Sequence, residues 1–195
     1  YSGSGIYRDV KLSVTDKVHV AKYGTTITSP KLEEQQNGAV DTLVKSRIVN
    51  QDDQAHSVYA EYEIVDQNGQ VVSEKVRSEV QSVLAGQEIN LSHTLHVEKP
   101  TLWDVKTNNP ALYTLYTRVY RDSQLVDVQK ERFGYRYLNW TPEGGFFLNG
   151  VATKFHGVSL HHDHGALGAE ENYKAEYRRL KQMKDMGVNA IRTTH

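Results

Sequence analysis

The sequence predicts a mainly β protein: an immunoglobulin-like β-sandwich followed by the opening strands and helix of an incomplete (β/α) barrel. Short runs of β-branched and aromatic residues, separated by turn signals, recur over the first two thirds of the chain. A helical stripe occurs only near the end. That stripe lies between two strand-like runs, which is the order of a β-α-β crossover.

In chain order, Val10-Lys11-Leu12-Ser13-Val14 alternates apolar and polar residues and reads as a first strand. Ala39-Val40-Asp41-Thr42-Leu43-Val44 and the run from Val58 to Val65 follow. The second of these turns at Asn68-Gly69 into Val71-Val72, and because both turn residues tolerate positive φ a tight hairpin is expected. Glu88 to Ser92, Tyr113 to Tyr120 and Leu125 to Lys130 complete the set. About seven short strands over roughly 100 residues is the pattern of an immunoglobulin-like sandwich, placed at 16–135 with 1–15 as a leading segment. Tyr113, at the start of a strand, stands where a corner tyrosine bonds back to upstream backbone; it and Trp103 are read as packing residues.

From residue 136 the pattern changes. Gly145 to Val151 holds a second Asn-Gly hairpin, at Asn149-Gly150, and the run from Phe155 to Leu160 reads as a strand. Tyr173, Tyr177, Leu180 and Met183 recur at helical spacing, with Glu170 and Glu171 expected in the first turn and Gly187 just past the last. Glu170 with Lys174 and Lys181 with Asp185 are i,i+4 pairs, so the polar face is read as solvated. Val188 to Arg192 is the closing strand. Such a unit is right-handed and needs further parallel neighbours, so 136–195 is expected to begin a TIM barrel and to leave apolar surface uncovered. The chain opens at Tyr1 without an initiator Met and closes on a strand-like run, so a longer protein is expected around it.

Composition excludes several classes. With 38% hydrophobic and 24% charged residues over 195 positions, the chain has enough material for one large or two small cores. Its net charge is −1 and its charges are interspersed, so the basic footprint of a nucleic-acid binder is missing. No apolar run approaches the ~20 residues that span a bilayer, and no membrane insertion is expected. The absence of cysteine excludes disulfides and thiolate metal sites. It fits a cytoplasmic enzyme or, slightly favoured, an extracellular or cell-surface bacterial one. The oligomeric state is left open.

In (β/α) barrels the chemistry sits at the carboxyl ends of the strands. His161, His162, Asp163 and His164 follow one expected strand, while Arg192 and His195 end the next, so both groups are expected on one rim. Three readings compete. A zinc site would use the histidines, but their spacing matches no zinc signature. The imidazoles could instead hold loops by hydrogen bonds. In a sugar site, neutral imidazoles and a guanidinium would present fixed donors and acceptors to hydroxyls.

Several motifs, taken in order, resemble glycoside hydrolase family 2, the family of β-galactosidases, β-glucuronidases and β-mannosidases. They are Gly3-Ser4-Gly5-Ile6-Tyr7-Arg8-Asp9-Val10, Asn109-Pro110-Ala111-Leu112-Tyr113, Phe133-Gly134-Tyr135-Arg136, Gly145-Phe146-Phe147-Leu148-Asn149-Gly150, His156-Gly157-Val158-Ser159-Leu160-His161, Met183-Lys184, and Asn189-Ala190-Ile191-Arg192-Thr193-Thr194-His195. The first resembles the exit of that family's amino-terminal jelly-roll domain. The resemblance implies that His161 and His195 line the sugar pocket and that Arg192 supports the nucleophilic glutamate. It implies part of a retaining β-glycosidase of the β-galactosidase type, cleaving terminal non-reducing β-D-galactose, with a β-galactoside or related carbohydrate as partner. It also implies that the acid/base and nucleophile glutamates lie beyond His195, so no catalytic residue is expected here and the stretch alone is expected to be inactive.

Glu143, Glu170 and Glu171 read as surface residues, leaving Asp163 as the one acid on the rim. No cofactor is expected on these residues, and a divalent cation is left open for the longer protein. Two departures bear on the substrate: His156 stands where β-galactosidase members often carry Arg, and Ser159-Leu160 where they carry Asn-Arg. The alternatives are a non-catalytic carbohydrate-binding or adhesion module using Trp103 or Trp140, and a metal-dependent hydrolase.

Overall fold

A computed structural model of the protein describes residues 5–6, 8–106 and 110–193. Gly3, Ser4, Tyr7, Asn109, Thr194 and His195, which belong to the motifs above, lie outside the described residues. Two compact units are present: Val14–Val151, and the chain from Ala152 onward together with the segment before Val14.

The larger unit contains β1 (Val18–Thr28), a one-turn helix α1 (Leu32–Gln35), β2 (Ala39–Asn50), β3 (His56–Val65), β4 (Val76–Arg77), β5 (Gln81–Val83) and β6 (Glu88–Glu98). It continues through β7 (Tyr113–Arg121), β8 (Gln124–Phe133), β9 (Leu138–Thr141), β10 (Gly145–Leu148) and β11 (Val151–Ala152), whose last residue opens the smaller unit. One antiparallel sheet has the order β1-β2-β6; a second has the order β4-β3-β7-β8, with β5 also on β3. Period-two patterning makes the sandwich. On β2 the alternate residues Val40, Thr42, Val44, Ser46, Ile48 and Asn50 are buried, and on β3 so are Val58, Ala60, Tyr62 and Ile64. The inner rows of both sheets merge into one core with Leu91, Leu95, Leu115 and Val119. Across it the Tyr62 hydroxyl donates to the Leu91 carbonyl at 3.3 Å. The mainly β reading therefore holds, and a two-sheet sandwich carries it.

The corner residues behave as their types suggest. Thr101 N–H donates to the Tyr113 hydroxyl oxygen at 2.9 Å, twelve residues upstream of that tyrosine. Tyr135 is buried with its hydroxyl 2.7 Å from Thr42 Oγ1, and burial pushes its ionisation far up. At Gly134 a Cβ would lie 3.0 Å from Trp103 Cβ, so glycine is needed for the chain to pass that ring.

Three local expectations are corrected. Val10-Lys11-Leu12-Ser13-Val14 forms no strand: it has no ladder partner among the described residues, and Val10, Leu12 and Val14 are 79%, 90% and 86% exposed. Alternation marks a strand only where a neighbour supplies hydrogen bonds. At Asn68-Gly69 only Gly69 takes positive φ, +79°, and the reversal is a longer loop. The Asp66 carboxylate accepts from Asn68 N–H and Gln70 N–H inside that loop, a local alternative to a two-residue turn. At Asn149-Gly150 both residues are at positive φ, 52° and 74°, as the two-residue hairpin requires. There the Asn149 side chain accepts from Tyr137 N–H and donates to the Trp103 carbonyl, fastening the β9–β10–β11 meander to the sandwich.

The smaller unit holds β12 (Gly157–Leu160), α2 (Tyr173–Asp185) and β13 (Ala190–Thr193), with β12 and β13 paired in parallel. The helix starts later than expected. Asn172 is its N-cap, accepting from Lys174 N–H and Ala175 N–H, so Glu170 and Glu171 precede the helix and Glu176 is the acid of its first turn. Asparagine wins because its side chain reaches the free amides, whereas the glutamates offered only charge. The helix closes as the sequence indicated. Gly187, at φ +89°, donates to the Lys184 carbonyl and Val188 to that of Met183, the two bonds of a Schellman motif. Its apolar stripe stays open, with Tyr173 80% and Tyr177 61% exposed.

One cluster in the sandwich gives it a pH response. His56 Nδ1 lies 2.7 Å from Asp122 Oδ2, and Nε2 lies 3.1 Å from Asp52 Oδ2. These contacts, Asp122 first, raise the His56 pKa; His56 holds Asp122 below its usual range, and Lys17, ahead of the Asp53 amide and His56, holds Asp52 below its own. A raised folded-state value means that the contribution is complete below the unfolded pKa of about 6.5 and is lost as pH rises through the folded one. Urea denaturation should show the midpoint falling over that interval above pH 6.5, and His56→Gln should remove this dependence. A wild-type midpoint flat across that range would refute it.

A histidine-lined cavity beside the parallel strands

Parallel strands cannot be joined by a tight turn, so the chain leaving β12 must cross over through α2 before β13 begins. The ladder runs from Gly157 opposite Ala190 to Leu160 opposite Thr193, which brings both carboxyl ends to one side. There Arg8, Leu160, His161, His162, His164, Glu171, Glu176 and Thr193 line a cavity of about 530 Å³.

The loop that follows β12 is held from the helix. Arg179 Nη2 donates to the His161 carbonyl at 2.8 Å, and Nη1 donates to the Asp163 carbonyl. Nη2 also lies 2.7 Å from Glu176 Oε1, which in turn sits 3.1 Å from Nε2 of His164, whose side chain is only 6% exposed. A short 3-10 turn at Gly165–Leu167 completes the loop. At the far end of the strands Asn189 accepts from His156 N–H at 2.8 Å and donates to the Lys154 carbonyl at 2.9 Å, aligning the chain before β12 with the start of β13.

His161 lines the cavity and is half-buried. Arg192 is exposed and lines a separate, shallower depression of about 420 Å³ with Phe155, Val158, Ser159 and Ile191. It pairs with Ser159, one position before the Leu160–Thr193 pair, and successive strand residues face opposite sides. His195 lies outside the described residues. Asp163 is exposed, and its carbonyl is what Arg179 uses.

Asp163 is therefore not the one acid here, because Glu171 and Glu176 line the cavity. Glu171 is 3.5 Å from Arg8, and Glu176 is engaged by His164 and Arg179. A retaining glycosidase needs two carboxyl groups about 5 to 5.5 Å apart, one acid and one nucleophile. Sequence reasoning missed Glu176 and Arg179. Their i,i+3 spacing was a signal, but it was absorbed into a polar face read as solvated, which is correct for Lys181 and Asp185, each more than 60% exposed. Among the described residues no group of three His, Asp or Glu side chains could hold a metal ion. The polar groups that line the cavity are imidazoles, carboxylates, a guanidinium and a hydroxyl.

Because Asn189 couples the two strand starts, Asn189→Ala should free the His156 amide. Its hydrogen exchange should accelerate on the order of tenfold, matching about 1 to 1.5 kcal/mol for a lost hydrogen bond. Unchanged protection would show that the side chain is dispensable.

The sequence model of the glycosyl hydrolases family 2 matches residues 18–136. A β-galactosidase of Bacteroides ovatus is 40% identical over 195 residues, covering all of this chain and 22% of that protein. A β-glucuronidase of Bacteroides fragilis is 30% identical over 191 residues, 98% of this chain and 27% of its own length. Among solved structures, a glycosyl hydrolase family 2 member from Bacteroides cellulosilyticus superposes with a TM-score of 0.86 at 34% identity, covering the whole chain and 24% of that structure. The chain thus spans about a quarter of the length of these proteins.

Proposed function

We propose, from the premise that the chain belongs to the glycosyl hydrolases family 2, that it is part of a retaining β-galactosidase acting on terminal non-reducing β-D-galactose. In this reading the sandwich at 16–135 is followed along the chain by a catalytic barrel. Within that barrel β12, α2 and β13 are the first elements. His161 and His195 bind sugar hydroxyls, and Arg192 orients a catalytic glutamate supplied from outside these residues. The chain by itself is inactive.

The observation that carries the proposal is His161 on a cavity at the carboxyl ends of parallel strands, where barrel chemistry is placed. A β-galactoside is favoured over a β-glucuronide on charge. A glucuronide brings a carboxylate, which needs a cation, and in this cavity Arg8 lies against Glu171 while Arg179 on the adjoining helix is taken by Glu176. A neutral sugar needs neither. Trp140, 66% exposed on β9 with its ring 4.5 Å from Phe146, is where a carbohydrate-binding module would place its platform.

Chromogenic β-galactoside, β-glucuronide and β-mannoside, offered to this chain and to a longer protein carrying the rest of the barrel, separate the readings. The chain should be silent and the longer protein active, fastest on the galactoside, with kcat/KM reduced on the order of 10²-fold by His161→Ala. Turnover by the chain alone would overturn the reading, and preference for the glucuronide would reassign the substrate.

A further inference from the structure

We infer that Arg179 is a positioning residue for His161, an inference that rests on the sugar-site reading above. Its guanidinium reaches from α2 to two carbonyls in another segment, those of His161 and Asp163. Those carbonyls flank His162, so the main chain carrying the His161 imidazole is fixed directly after the residue that bears it. Glu176 keeps the fork in place from one turn earlier, and it also takes His164, which secures the loop farther on. Arginine is required for this. A planar fork with divergent N–H groups spans two acceptors and a carboxylate at once, while a lysine ammonium on the same stem would satisfy them only in part.

Arg179 Nε and Glu176 Oε2 are buried without a hydrogen-bond partner among the described residues, and such groups carry a desolvation penalty that their contacts only partly offset. What the bracket secures is the place of one ring at the edge of the cavity, where small misplacements have large effects on binding and turnover.

The test is a double-mutant cycle in the full-length enzyme, with a spectroscopic arm on this chain. Arg179→Lys should lower kcat/KM for the β-galactoside roughly tenfold, chiefly through KM, and should have little further effect in a His161→Ala background. An equal loss in both backgrounds, or none in either, overturns the inference. In the 195-residue chain, the ring resonances of labelled His161 should shift in Arg179→Lys and stay in place in Lys181→Ala, which removes an exposed ion pair on the same helix. If the unaltered full-length enzyme cleaves none of the glycosides, the functional reading fails while the ring resonances still decide the bracket: a shift supports it and unchanged lines refute it.

Discussion

Parallel pairing of β12 with β13 is the constraint on which the candidate site depends. Two strands running the same way need a crossover, the crossover is α2, and the consequence is that both strands end on the same side. His161 and Thr193 come to one cavity for that reason, although they are far apart in sequence. The devices around the pair serve its register. Asn189 bonds to the chain on either side of Phe155, Asn172 starts the helix where its amides need an acceptor, and Gly187 ends it in time for β13 to begin.

The sandwich obeys a different rule. Its strands pair antiparallel, and on β2, β3 and β7 burial alternates residue by residue, so two inner faces close on each other with Tyr62 bonded across the gap. Its irregular points are where chemistry is specific. Gly134 lets the chain pass Trp103, Tyr113 secures the Thr101 backbone, and Asn149 ties the following meander back to Trp103. The His56 cluster with Asp52 and Asp122 adds a charge-dependent contact at the rim of the second sheet.

Much of this was legible in the residues. β2, β3 and β7 announce themselves by alternation, and the two-residue turn at Asn149-Gly150 and the stop at Gly187 follow from the need for positive φ. Less was legible where the deciding partner is distant. Val10 to Val14 has the pattern of a strand without a neighbour, and Asn68 lost its positive φ to the Asp66 carboxylate. At the site, the motif led to His161, but Glu176 and Arg179 were hidden because their partners are the main-chain carbonyls and the imidazole of another segment. No spacing along the helix states that. The i,i+4 rule caught Lys181 with Asp185 and treated the whole polar face as alike.

The resulting account is of a cavity lined by imidazoles whose carboxylates are engaged by Arg8, His164 and Arg179. In the proposed reading these residues recognise the sugar and carboxylates elsewhere cleave the bond. Titrating the uniformly isotope-labelled chain with methyl β-galactoside and, separately, methyl β-glucuronide tests it most directly. The account expects saturable shifts at His161 and Thr193 with the galactoside, weaker ones with the glucuronide, and no turnover of either. Shifts centred on Trp140 with the cavity unperturbed would contradict it.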